Sequence, residues 1–167
     1  MSVHHGLSII EDATALAAPV TGYSAVQVVI GTAPVNMLDD PSSAVNMPIM
    51  ATKATEAMEK LGYCTDFNKY TLCQSMYVTS NIYRVSPVVY INVLDPGKHK
   101  KTLEATEATV DALRAVVGTT GILREGLAVT AGETALELSR DYTASYDTNG
   151  YLVINLVAGG AGAGAEK

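Results

Sequence analysis

The chain has two cysteines, Cys64 and Cys73, and these are the side chains best suited to nucleophilic chemistry. A thiol becomes a strong nucleophile when a basic group nearby lowers its pKa. His99 is the only histidine away from the N-terminus, so spacing alone indicates no Cys–His pair. We therefore interpret both cysteines as small buried hydrophobic residues. A disulfide framework would need more cysteines, and we expect synthesis in a reducing cytoplasm.

Residues that commonly bind metals are sparse. His4 and His5 are adjacent, but no further ligands follow at the spacing of a zinc site. The acidic loop Asp39–Ser42 lacks the glycine and the final glutamate of an EF-hand calcium loop. Its Asp, Pro and Ser content is typical of a turn. We predict no metal site and no cofactor.

Two weak motifs could be read as catalytic or cofactor-binding. Gly160 and Gly162 followed by Ala165 resemble a dinucleotide-binding glycine run, but that motif needs a following helix and a later acidic residue. Gly22–Val26 contains a serine, but it lacks the second glycine of a nucleophile elbow and precedes a strand pattern. We therefore predict that the chain is not an enzyme, and the checklist for active sites disfavours the alternative of a small hydrolase.

The overall composition excludes further classes of function. The chain is 48% hydrophobic and 17% charged, with a net charge of −6, which is unsuited to gripping phosphate backbones. Its one basic run, Lys98–Lys101, is interpreted as a solvated loop. No apolar stretch is long enough to span a bilayer, and the N-terminus lacks the pattern of a signal peptide. High apolar content with low charge predicts an ordered core and apolar surface that contacts other subunits.

The first half of the chain has the pattern of an α/β layer. Two nearly continuous runs of apolar and β-branched residues predict strands covered on both faces: Ala25–Ile30 and Val88–Leu94. Between them, Lys53–Leu61 is predicted as a helix with Thr52 as its N-cap and Gly62 just past its end. Asn68–Tyr83 has the spacing of a second helix. This order of a strand, two helices and a second strand predicts helices that pack on a central sheet.

From about residue 99 the strand candidates become shorter and turn signals separate them. The candidates are Gly126–Thr130, Thr134–Leu138, Asp141–Tyr146 and Tyr151–Val157. Asn149 and Gly150, between the last two, form the strongest short hairpin signal. This region is predicted to be a small antiparallel β-sandwich or barrel. The last strand would need a further neighbour, so we expect the sheets to be completed by other subunits or by chain beyond this sequence.

Three tyrosines on the predicted hairpin support an alternative function. Tyr142 and Tyr146 alternate onto one face of one strand, and Tyr151 begins the next. Aromatic rings presented by a hairpin can form an amphipathic binding platform. The alternative is therefore a surface- or carbohydrate-binding β module without catalysis.

Several strings occur in the same order as in the phage contractile tail sheath proteins: Gly31–Asn36, Asp39–Pro41, Lys69–Tyr77 and Pro87–Pro96. The later stretch Arg140–Ile154 resembles the β-rich domain that this family inserts after that region. The sequence is most similar in these features to sheaths of prophages and tail-like bacteriocins of Gram-positive bacteria. The resemblance covers most of the chain and identifies it with the N-terminal portion of a sheath subunit.

The resemblance implies a division of the chain into three parts. Residues 1–22 would be an extended N-terminal arm, residues 23–98 the N-terminal part of the α/β sheath domain, and residues 99–167 an incomplete protruding β-rich domain. The arm would add a strand to a sheet of a neighbouring subunit, through main-chain hydrogen bonds. Its expected contact residues are Val3, Leu7, Ser8, Ile9, Ile10 and Glu11.

The resemblance also implies partners and a location. The subunit would polymerise with copies of itself around an inner tail tube protein, and contact baseplate and tail terminator proteins. Contraction would drive the tube through the envelope of a target cell. No nucleic-acid contact and no direct membrane insertion are expected. The particle, a virion or a tail-like particle, would assemble in the cytoplasm of the bacterial host.

Overall fold

A computed structural model describes residues 26–165 as a mixed α/β fold with three β-sheets and few helices. The strands are β1 (Gln27–Gly31), β2 (Pro48–Ala51), β3 (Val88–Asn92), β4 (Val110–Asp111), β5 (Arg114–Thr120), β6 (Thr130–Ala131), β7 (Thr134–Ala135), β8 (Tyr142–Tyr146) and β9 (Tyr151–Leu156). The helices are α1 (Ala54–Leu61), α2 (Thr71–Tyr77) and the single turn α3 (Pro96–His99). Two 3₁₀ turns, Val35–Met37 and Pro41–Ala44, lie between β1 and β2, and a π-helical turn, Val78–Ile82, extends α2.

The first sheet has the order β1-β3-β2, with β3 parallel to β1 and antiparallel to β2. The second sheet has the antiparallel order β4-β5-β9-β8, and β6 pairs with β7 in a separate hairpin. Within residues 26–165 the second sheet ends at β4 on one side and β8 on the other. The predicted barrel is therefore wrong, because no pairing joins those two edges. The sandwich stays a prediction.

The helices cover one face of the first sheet, as their apolar spacing requires. Leu61 of α1 and Leu72 and Met76 of α2 are fully buried in one cluster with Val88 and Tyr90 of β3. Val88 and Tyr90 are two residues apart on β3, so their side chains lie on the same face of the sheet. The core of the N-terminal half therefore lies between that face and the helices.

The prediction for α1 was right in position but wrong at its start. Lys53, not Thr52, is the N-cap, and its side chain makes no capping bond. Thr52 instead donates its backbone N–H to Oε2 of Glu56 at 2.8 Å, and its hydroxyl bonds to the same carboxylate. Gly62 ends the helix with a φ of 76°, a conformation that glycine adopts without steric cost.

The second predicted helix, Asn68–Tyr83, is shorter than expected and is not uniform. The α-helical part begins at Thr71, after a turn in which the Asp66 carboxylate accepts from the Lys69 N–H. Past Tyr77 the chain forms the π-helical turn, where the Thr79 hydroxyl bonds to the Ser75 carbonyl oxygen. A threonine bonding back to its own helix disturbs regular α-helical geometry. The spacing of apolar residues does not reveal this side-chain hydrogen bond, so it could not predict where the regular α-helix ends.

Predictions for the C-terminal half were uneven. The hairpin at Asn149 and Gly150 is confirmed, with β8 and β9 antiparallel and Gly150 at a φ of 87°. The predicted strand Gly126–Thr130 is wrong, because only Thr130 of that segment joins a strand. Strand β5 was not predicted, since its glycine and threonines obscure any apolar alternation. It is nevertheless a central strand of the second sheet, because its hydrogen bonds to β9 hold it in an extended conformation.

Hydrogen bonds join the two halves of the described chain. Thr65 donates its N–H to the Thr148 carbonyl oxygen at 3.0 Å, below the β8–β9 turn. The ammonium group of Lys69 donates to Oγ1 of Thr120 at 2.9 Å. The amide of Asn36 donates to the Ile122 carbonyl oxygen at 3.2 Å. The β-rich half is therefore held against the loops of the α/β half by polar contacts.

Asp141 is a buried carboxylate that ties the end of the chain to the second sheet. It accepts from Nη2 of Arg140 at 2.8 Å and from the backbone N–H groups of Glu137 and Ala161 at 2.9 and 3.3 Å. The Arg140 bonds, followed by the Glu137 N–H, lower the pKa of Asp141 from 3.8 to about 2. Its ionised form is therefore the one that the fold stabilises.

This arrangement predicts an acid-dependent contribution to stability. The folded-state pKa of Asp141 lies below its unfolded value, so the contribution is complete above about pH 4 and is lost as pH falls towards about 2. We expect Asp141→Asn to lower the urea midpoint at pH 6, and to show a smaller loss of stability between pH 6 and pH 2.5 than the wild type. Circular dichroism measures both. Asp111→Asn, at an exposed position of β4, is the control, and equal pH dependence in Asp141→Asn and wild type would contradict the assignment.

Candidate assembly surface

The face of the first sheet that turns away from the helices is apolar on all three strands. The strand register places Val28 of β1 opposite Val89 of β3, and Val89 opposite Met50 of β2. One step along, Ile30 is paired with Ile91. Residues paired directly across strands point to the same side of a sheet. These five side chains therefore form one continuous surface, which we call the open sheet face.

The open sheet face is exposed within the described residues. Val28 is 56% exposed, Ile30 65% and Met50 60%. Val26 and Val93, at the ends of the same rows, are also exposed. Isolated apolar residues on a surface are ordinary, whereas a contiguous apolar patch marks a site of interaction. Covering Val28, Ile30 and Met50 would contribute about 1–2 kcal/mol for each side chain.

The open sheet face is bordered by an unprotected strand edge. Strand β1 lies at the end of the sheet order, so its outer backbone groups have no strand partner among residues 26–165. Natural edge strands are commonly protected by lysine, proline or a bulge. The sequence of β1, Gln-Val-Val-Ile-Gly, contains no charge and no proline. Both an added strand and an apolar covering layer could therefore bind here.

The sequence contained a signal for this surface, but we interpreted it differently. Both apolar runs were predicted as strands covered on both faces, and within the described residues that prediction is wrong for one face. Val29 and Tyr90 contact the helix side, as expected. Their neighbours Val28, Ile30 and Ile91 are equally apolar but have no helix above them. Apolar residues on both faces of a strand therefore indicated a covering layer that residues 26–165 do not supply.

Of the residues considered for catalysis, Cys64, Cys73 and His99 lie in the described part of the chain, and the serine of Gly22–Val26 lies outside it. Cys64 and Cys73 are buried, as predicted, while Nδ1 of His99 lies 2.9 Å from the Asp95 carbonyl oxygen in the exposed turn α3. The basic run Lys98–Lys101 is exposed, as expected for a solvated segment, but its first two residues belong to the helical turn α3 and not to a loop. Within residues 26–165, no three His, Cys, Asp or Glu side chains are grouped as metal ligands.

The tyrosines proposed as a binding platform are not presented together on a surface. Tyr142 is only 3% exposed and packs in the core of the second sheet. Tyr146 packs against the same core, and its hydroxyl donates to the Ile122 carbonyl oxygen at 2.8 Å. Burial raises the pKa of Tyr146 above its ordinary value. These rings serve the packing of the hairpin.

The predicted arm residues, Val3, Leu7, Ser8, Ile9, Ile10 and Glu11, lie outside the described residues. In the described part of the chain, no helix has the length and apolarity needed to cross a membrane. The chain matches no protein-family model, no curated protein and no solved structure. The resemblance to sheath proteins therefore stays a prediction, and the open sheet face is the feature on which a function can be argued.

Proposed function

We propose that this chain is a structural, non-catalytic subunit of a contractile tail sheath, in which copies of the chain polymerise through their sheets. The observation that carries the proposal is the open sheet face beside the unprotected edge of β1. A contiguous exposed apolar surface of this kind is typical of a site that another layer covers. Ordered family strings in the sequence add the expectation that the covering layers are other copies of the subunit.

The N-terminal arm is the proposed link between copies. Within Val3–Glu11, the segment Gly6–Glu11 alternates over a short span that places Leu7 and Ile9 on one face, as expected for a strand added to an edge. The chain between Glu11 and Val26 can span at most about 50 Å, which sets the maximum reach of the proposed arm from the first sheet. Main-chain hydrogen bonds would hold the arm while subunits rotate as rigid bodies during contraction.

The finer parts of this proposal follow from the resemblance. The β-rich half would be an inserted domain, with a sandwich architecture, that protrudes from the particle. Its partners in the particle would be the inner tail tube protein, the baseplate and the tail terminator. The particle would be a virion or a tail-like particle assembled in the bacterial cytoplasm.

Negative-stain electron microscopy with analytical ultracentrifugation tests the proposal. We expect the complete subunit to form ordered helical assemblies as its concentration rises. The double variant Leu7→Asp and Ile9→Asp should remain folded but unassembled, because charges replace the apolar anchors of the arm. Ser8→Asp, on the alternate side of the same segment, is the matched control and should assemble normally. A complete wild-type subunit that stays monomeric at high concentration would overturn the proposal. Normal assemblies from the double variant would overturn the role of the arm.

A further inference from the structure

The β-rich half meets the α/β half through loops, along a surface that we call the docking interface. Among residues 26–165, no β-sheet contains strands of both halves, and no apolar cluster extends from one half into the other. The bonds that cross the interface are hydrogen bonds and one ion pair, made by Asn36, Asp39, Thr65 and Lys69 on one side and Thr120, Ile122, Arg124 and Thr148 on the other. Polar contacts of this kind are readily replaced by contacts with water, so they hold two units together less firmly than a shared core does.

Arg124 makes the ion pair of this interface. Its Nη2 donates to Oδ1 of Asp39 at 2.8 Å and to the Met37 carbonyl oxygen at 3.3 Å. The guanidinium group also lies over the ring of Tyr146, 5.6 Å from the ring centroid, which orients it towards the other half. The Asp39 side chain is 99% exposed, so water and ions reach the pair. An exposed ion pair of this kind is weak and is screened by salt.

The segment that joins the halves allows them to separate. Residues 100–109 have no regular secondary structure, and all of them except Ala108 are exposed. A segment of this length can extend to roughly 33 Å, so the β-rich half can leave the interface while it stays attached to the chain. Exposed segments with few contacts are typical of boundaries between domains.

We propose that residues 110–165 form a separately folded unit that docks reversibly on the α/β half, with the ion pair of Arg124 and Asp39 as the salt-sensitive contact. Each half has its own sheet and its own apolar cluster, so undocking opens neither core. Ionic strength, or a partner that binds either charged group, then shifts the populations of the docked and undocked states. The inference concerns contacts within one chain and does not depend on the proposed function.

Cys64 reports whether the docking interface is closed. This residue is fully buried, and a Cβ placed on Gly150 would lie 3.5 Å from its Sγ, so the β8–β9 turn covers the sulfur. The turn is held there by Thr65, whose N–H donates to the Thr148 carbonyl oxygen at 3.0 Å. Cys73 is also buried, but it lies inside α2 among apolar residues of the α/β half. Undocking should therefore expose Cys64 alone, whereas unfolding of the α/β half exposes both thiols.

Alkylation of the full chain with iodoacetamide, followed by tryptic peptide mapping, tests the proposal. Cleavage at Lys60, Lys69 and Arg84 places the two cysteines on different peptides. Between low salt and roughly 1 M KCl, we expect the alkylation rate of Cys64 to rise at least about threefold, because salt screens the ion pair and favours local opening. The rate of Cys73 and the circular dichroism spectrum should not change. Equal rises at both cysteines would overturn the proposal, as would a Cys64 rate that salt leaves unchanged.

The variant Arg124→Ala tests the ion pair itself. Losing the bonds to Asp39 and Met37 should raise the alkylation rate of Cys64 at low salt by roughly tenfold, and should make it less dependent on salt. Arg114→Ala is the matched control, because Arg114 is an exposed arginine of β5 in the same half, and it should alkylate as the wild type does. Equal Cys64 rates in the two variants would overturn the role of the ion pair. The salt dependence of the wild-type chain needs neither variant, so poor folding of a variant would not affect the main test.

Limited trypsin digestion of the full chain tests whether the halves fold separately. Lys100 and Lys101 lie in the exposed joining segment, where proteases cut most readily. Cleavage there should leave the circular dichroism spectrum unchanged, because each half keeps its own core. Loss of the strand signal on cleavage would show that the halves form one cooperative unit and would overturn the proposal. Both tests use dilute monomeric chain, so a failure of the assembly proposal would leave their results unaffected.

Discussion

Replacing Ile30 with aspartate is expected to abolish self-association of the chain while leaving its fold intact. Ile30 is the most exposed residue of the open sheet face, at 65%. In an assembly this side chain would be buried, and the change removes about 2 kcal/mol of apolar burial. It also forces a carboxylate into an apolar layer, which costs several kcal/mol unless the group finds a partner. Together these effects weaken association at least about 100-fold.

Sedimentation velocity over a range of concentrations measures this effect, and urea unfolding measures the fold. Because Ile30 is exposed in the described structure, the free energy of unfolding should change by no more than about 1 kcal/mol. Gln27→Asp is the matched control, because this residue is exposed on the same edge strand but alternates to the other side. The open sheet face is not the assembly surface if Ile30→Asp associates as the wild type does. Loss of association in Gln27→Asp as well would indicate a general effect of charge.

Replacing Asn92 with leucine is expected to lower the free energy of unfolding by about 3–5 kcal/mol. Asn92 is fully buried at the end of β3, and its Oδ1 accepts from the N–H groups of Ala33 and Leu94 at 3.0 and 3.1 Å. Its Nδ2 donates to the Leu94 carbonyl oxygen at 2.9 Å. Leucine fills a similar volume but leaves these backbone groups without partners. Each unsatisfied buried group costs about 1–3 kcal/mol.

Urea unfolding followed by circular dichroism measures this loss. A small domain has about 5–15 kcal/mol of stability in total, so the variant should unfold at a much lower midpoint. Asn155→Leu is the matched control, because Asn155 is a half-buried asparagine near the end of β9 whose amide bonds only to the Ser145 hydroxyl. That change should cost less than about 1 kcal/mol. Similar urea midpoints for the two variants would show that the hydrogen bonds of Asn92 do not hold together the loops that follow β1 and β3.

The two changes test different consequences of one strand arrangement. Asn92 fastens the loop after β1 to the end of β3, and so keeps the two strands in parallel register. That register aligns Ile30 with Ile91 on the open sheet face. Asn92→Leu should therefore reduce assembly indirectly, through the fold, whereas Ile30→Asp should act on assembly alone. The separation of the two effects distinguishes a structural residue from a contact residue.

Local chemistry was enough to predict several elements. Strand β3 and the hairpin at Asn149 and Gly150 were placed within a few residues, because β-branched runs and turn residues act through their immediate neighbours. Helix α1 was placed equally well, since its apolar spacing and the terminal Gly62 are local features. Strand β5 was not predicted from the sequence, because its extended conformation depends on pairing with β9, which is distant in sequence.

The open sheet face was only half predictable. The runs around Val28 and Val89 indicated that both faces of these strands should be covered, and the residue types alone carried that information. The chain order could not show that both helices pack on the same side, because the side is decided by how each connection returns to the sheet. The exposed face is therefore a property of topology.

By itself, the sequence determined that this is an acidic chain with strong β-branched strands, one well-defined hairpin and no recognisable catalytic motif. Tertiary structure alone decided that Ile30 is exposed, that Asn92 bonds to buried backbone groups of two loops, and that Cys64 and Cys73 share one buried cluster. The physical reason is the range of the interactions. Turn and helix preferences act over a few residues, whereas burial and hydrogen-bond satisfaction depend on segments that only the folded chain brings together.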